Sequence, residues 1–146
     1  MSESDRRLNS CLMAIILGLI LVGIVSGTPL RHVVQVLPAC IVLVALNRPA
    51  SWMPYAALAI FIFWLLIMAL IWLHLLGLTH IFAGNFSRAE TVLTFFIGGW
   101  CLVGLFRFFT TPTAAKLPAR VIAFVGFALL QVSALWLSLQ PSLSNR

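Results

Sequence analysis

Polar residues punctuate this chain instead of alternating with apolar ones. From Tyr55 to Leu73, nineteen consecutive residues are Ala, Ile, Leu, Phe, Met, Trp or Tyr. A helix rises about 1.5 Å per residue and the hydrocarbon core of a bilayer is about 30 Å thick, so this run is long enough to cross it. Trp52, Met53 and Pro54 stand before it, His74 and Gly77 after it. Four more apolar stretches flank it in sequence. The pattern predicts an all-α, polytopic transmembrane helical bundle of five spans, at about 8–27, 31–47, 54–77, 88–109 and 120–140, forming a single integral membrane domain over 1–146.

The second stretch is the shortest. Sixteen uncharged residues separate Arg31 from Arg48 and include Gln35 and Pro38. At full helical rise they cover about 24 Å, enough only if both arginines reach outward along the surface. The alternative is four spans plus a re-entrant segment. Charge asymmetry separates the two. With five spans, Arg6, Arg7, Arg48, Arg107, Lys116 and Arg120 share one side, against Arg31, Arg88 and Arg146 on the other. With four, the bias disappears. Basic residues concentrate in cytoplasmic loops, so five spans are expected, with the N-terminus in the cytoplasm, the C-terminus outside, and a bacterial inner membrane as the location. Val25-Ser26-Gly27 offers a signal-peptide-like cleavage site, but the first stretch is expected to be retained as helix one.

Composition agrees with the pattern. The chain is 62% hydrophobic and 8% charged, with a mean hydropathy of +1.12. A soluble domain carries about 25% charged residues. The net charge of +6 comes from basic residues set singly between apolar runs, not from a stripe with interleaved aromatics. The expected partners are therefore the lipid bilayer and a membrane protein, or further copies of this chain, and not nucleic acid. Cys11, Cys40 and Cys101 lie far apart without zinc spacing and read as small buried hydrophobes.

Candidate chemistry is sparse. The acidic residues are Glu3, Asp5 and Glu90, none in the middle of a span. Ion-coupled carriers and intramembrane hydrolases usually need buried carboxylates or paired histidines, and no nucleotide-binding or hydrolase motif is present. His32, His74 and His80 all fall at the predicted outer surface. They are the candidate cofactor-binding residues, for haem or a polar head group, although no cofactor is expected. Gln131, near the middle of helix five, needs a hydrogen-bonding mate, with Gln35, Thr94 or Ser133 as options.

Small residues mark packing faces. Gly23 and Gly27 form a G-x-x-x-G, Ala14 and Gly18 a second small pair on helix one, and Gly98 and Gly99 a notch beside Trp100. Ser87 and Glu90 have capping-box spacing, which predicts a helix start at Arg88. The expected function is a non-enzymatic anchor, accessory subunit or assembly factor of a larger membrane complex. The alternatives are a small oligomeric transporter or lipid-handling protein, or a haem- or quinone-binding redox subunit.

Overall fold

The computed structural model describes residues 3–46, 51–80, 86–110 and 115–140. Among these the chain forms five α-helices and no strand: α1 (Glu3–Val25), α2 (Pro29–Ala45), α3 (Met53–Leu75), α4 (Arg88–Phe109) and α5 (Leu117–Ser138). Helices α1, α3, α4 and α5 are long and apolar enough to cross a membrane, which makes the chain an integral membrane protein; α2, with 17 residues, is shorter. Arg48 and Arg146, which enter the charge count, lie outside the described residues.

Local chemistry sets the helix ends. Proline lacks an N–H, and its fixed φ suits the first turn, where that N–H would have no helical partner. Helices α2, α3 and α5 each begin with Pro at one of the first two positions. The sequence reading started the second and fifth helices at 31 and 120; the observed starts, Pro29 and Leu117, are earlier for this reason. Helices α1 and α3 end alike. Gly27 and Gly77 adopt φ of +70° and +73°. The following amide, on Thr28 or Leu78, bonds back to Gly23 or Leu73, and the glycine amide to Ile24 or His74. This pattern satisfies carbonyls that would otherwise be stranded at the helix end. Gly27 therefore stands outside α1 as its terminator. It is not half of a packing pair, and a Cβ there would meet nothing within 4 Å.

Around the bundle the helices follow the order α1, α4, α3, α5, α2 and back to α1, with lighter contacts from α3 to α1 and α2. Helix α3, apolar all round, is the most deeply placed: Ala56, Ala57, Ile60 and Phe61 are fully buried. Helix α5 is the most peripheral, and only Ala123, Gln131 and Ser138 of it are buried.

Glycines let the helices approach. A Cβ on Gly18 would stand 2.7 Å from the Ile97 side chain of α4, and one on Gly23 2.8 Å from His32 of α2. These two positions lie about 140° apart around α1, so its two neighbours hold different faces. Ala14 is half-buried on the same helix. On α4, Gly98 receives the Trp72 ring and Gly104 the Phe61 ring, with virtual Cβ distances of 2.5 and 2.7 Å. Gly99 opens outward with nothing within 4 Å. The predicted notch is thus split between a half filled by a ring of the neighbouring helix α3 and an open half.

Candidate functional site

The two ends of the bundle differ in chemistry. At one end the starts of α3 and α5 meet the close of α4. Tyr55 packs edge-on against Phe108 at 5.2 Å, and the Arg120 guanidinium lies over the Tyr55 ring at 5.3 Å while its Nε donates to the Ala115 carbonyl. Arg107 in the last turn of α4 and Lys116 ahead of α5 belong to this end, as do Arg6 and Arg7 at the start of α1. The other end carries Arg31, Arg88, Glu90 and the three histidines.

The histidines are held separately. His32 Nδ1 is 3.1 Å from the Thr28 carbonyl oxygen, and its ring lies against Gly23. His74 Nδ1 is 3.0 Å from the Thr79 carbonyl oxygen, with Phe86 edge-on to the ring. His80 is exposed beyond the end of α3. Among the described residues no three His, Cys, Asp or Glu side chains gather where they could hold a metal ion.

The capping box at α4 is formed by two bonds. The Ser87 amide donates to Glu90 Oε2 at 2.7 Å, and the Glu90 amide to Ser87 Oγ at 3.2 Å. Both members are used in starting the helix.

The buried polar groups concentrate between α2 and α5. Pro38 has no N–H to donate to the Val34 carbonyl, so one rung of the α2 ladder is absent beside Gln35. In that turn, the Gln35 carbonyl accepts from Gln131 Nε2 of α5 at 2.9 Å. Gln35 returns the contact: its Nε2 donates to Ser138 Oγ at 2.9 Å, and Ser138 donates on to the Leu135 carbonyl at 2.6 Å. Two amides, a hydroxyl and a backbone carbonyl thus form one seam. In hydrocarbon, buried side-chain amides and hydroxyls must find partners within the protein, since no water is at hand.

Among the described residues, Gln131 Oε1 and the Trp64 Nε1 of α3 are buried without a hydrogen-bond partner.

Thr94 is elsewhere. It accepts from Trp72 Nε1 at 3.1 Å and donates to the Thr91 carbonyl, tying α3 to α4, and Phe95 stacks on the same indole at 5.1 Å. Ser133 is exposed. Of the three mates considered for Gln131, only Gln35 meets it, and through its backbone oxygen instead of its side chain. Ser138 was not anticipated, although it lies seven residues after Gln131 and so on the same face of α5. No titratable group belongs to the seam; it joins helices and has no proton to move. No protein-family model matches this chain, and neither a curated protein nor a solved structure matches it.

Proposed function

We propose that the chain is a small non-enzymatic multi-pass membrane protein that serves as an anchor, accessory subunit or assembly factor of a larger membrane complex. One observation carries this reading: among the described residues the buried polar side chains are used between helices, Gln35 and Gln131 donating across to α5 and α2 and Ser138 and Thr94 accepting from α2 and α3, instead of lining a common route. A carrier built from Gln35, Gln131, Thr94 and Ser133 would need them around one cavity. The apolar outer face of α5, where Ile122, Leu129 and Trp136 are more than 60% exposed, adds an ample surface for lipid or a partner.

The reading includes five spans with the N-terminus in the cytoplasm. Its support is that α2 packs between α1 and α5, with buried residues from Gln35 through Leu46. Reporter fusions after Arg7, Ala50, Asn85 and Ala115 test the topology, and are expected to alternate between the two sides. Fusions after Arg7 and Asn85 reporting the same side would remove the five-span reading. For function, the tagged chain is purified in mild detergent. One membrane protein is expected at fixed stoichiometry, and that protein should fail to assemble in cells lacking this chain. A lone chain that moves a solute in proteoliposomes would replace the proposal with transport.

A further inference from the structure

Helix α5 carries an indentation on the flank beside Trp52. A groove of about 480 Å³ is lined by Trp52 and, on α5, by Ala119, Ile122, Ala123, Gly126 and Leu130 among others. Its volume is within the range of small-molecule sites, about 300–1,000 Å³. Apart from the Trp52 indole N–H, the lining side chains are apolar. Gly126 opens it: a Cβ there would meet nothing within 4 Å.

Three features identify the occupant. The first is length. Ala119 to Leu130 covers about 16 Å of helix rise, close to one leaflet of a hydrocarbon core about 30 Å thick. A partner helix would need a seam across both leaflets; a lipid tail needs half. The second is position, since the groove starts at the basic end of the bundle, with Trp52 at its mouth, as tryptophans favour the membrane–water boundary. The third is charge. Lys116 stands three residues before Ala119, on the same line as Ala123, Gly126 and Leu130, and Arg120 lies one turn further in. A second copy docking α5 against α5 in the same orientation would set these cations against their own images. An anionic head group meets them with opposite charge.

We propose that this groove binds one anionic phospholipid of the leaflet at the basic end, its acyl chain lying along Ala119, Ala123, Gly126 and Leu130 and its phosphate beside Lys116. The site is independent of the accessory-subunit reading and stands or falls on binding alone.

The test is native mass spectrometry of the full chain, incubated with phosphatidylglycerol or phosphatidylcholine of identical acyl chains. The wild type should retain one phosphatidylglycerol, preferred about fivefold over phosphatidylcholine, the size expected of one interfacial lysine. Lys116→Gln should erase most of that preference and keep the lipid. Gly126→Leu should expel both lipids while circular dichroism and melting temperature stay unchanged; if it fails to fold, Leu130→Trp fills the groove from its inner end instead. Equal retention of the two lipids by the wild type would overturn the proposal. So would undiminished phosphatidylglycerol on a folded groove-filling variant, or a dimer that such a variant converts to monomer.

Discussion

Two sides of this bundle are held together by different physics. Where α4 meets α1 and α3, cohesion is steric: Ile97 enters the hollow at Gly18, Trp72 that at Gly98, and Phe61 that at Gly104. Where α2 meets α5, cohesion is polar: Gln35, Gln131 and Ser138 exchange hydrogen bonds beside Pro38. Lipid tails are as apolar as leucine, so burying apolar surface cannot drive helices together in a membrane, and close fit or hydrogen bonds must do so. The difference teaches which substitutions each side tolerates. The steric side accepts no added carbon at Gly18, Gly98 or Gly104, and its interhelical polarity is the Trp72–Thr94 bond. The polar side has room at its outer edge but depends on a few donors and acceptors.

The largest expected effect is on the steric side. Gly98→Ala places a methyl 2.5 Å from the Trp72 ring, which must move against Thr94 and Phe95. Overpacking of this kind costs about 1–3 kcal/mol, measurable by unfolding in mixed micelles with increasing SDS. Its neighbour is the control: Gly99→Ala meets nothing within 4 Å and should leave the midpoint unchanged. Equal effects at the two positions would show that α4 is not held by fit.

Next comes the cap that begins α4. Ser87→Ala should cost about 1 kcal/mol by stranding the Glu90 amide. Glu90→Gln should cost less, because an amide oxygen still accepts from the Ser87 amide. Loss of function in a fully folded Glu90→Gln protein would make the carboxylate chemical and not structural.

The polar side should respond least to single changes. Interhelical hydrogen bonds in membrane proteins average about 0.6 kcal/mol, with a maximum near 1.7. Gln131→Leu should therefore destabilise by about 0.6 kcal/mol or less, since it also removes the unpartnered Oε1. A double-mutant cycle between Gln35→Leu and Ser138→Ala isolates the bond at 2.9 Å, and no coupling would mean that the seam contributes shape alone.

Much of this was legible in the sequence. Uninterrupted apolar runs give membrane helices, and Ser87 with Glu90 marked the start of α4 to the residue because a capping box joins two positions three apart. Gly98 announced a notch. Which residue of a neighbouring helix would fill it was not readable, because only the packing of α3 on α4 brings Trp72 there. Gly27 misled for a related reason: G-x-x-x-G spacing fits both a packing face and a helix terminator, and the positive φ that decides between them is absent from the letters. Gln131 declared its need for a partner, but backbone acceptors carry no sequence signal, so the Gln35 carbonyl was invisible. The histidines share an end of the bundle by simple counting. Their separate anchors, Thr28 and Thr79, arise from local turns that counting does not capture.

The hydrogen bond from Gln131 to Gln35 joins residues 96 positions apart. While the chain is being made, α2 therefore enters the membrane well before its mate exists. Until α5 emerges, the Gln35 side-chain amide is without its Ser138 partner and faces lipid or a temporary companion such as the insertion machinery. Helix α5 thus supplies the partner that α2 lacks in that interim state. Synthesis halted before α5 leaves α2 in place with the Gln35 amide bare of its partner on α5.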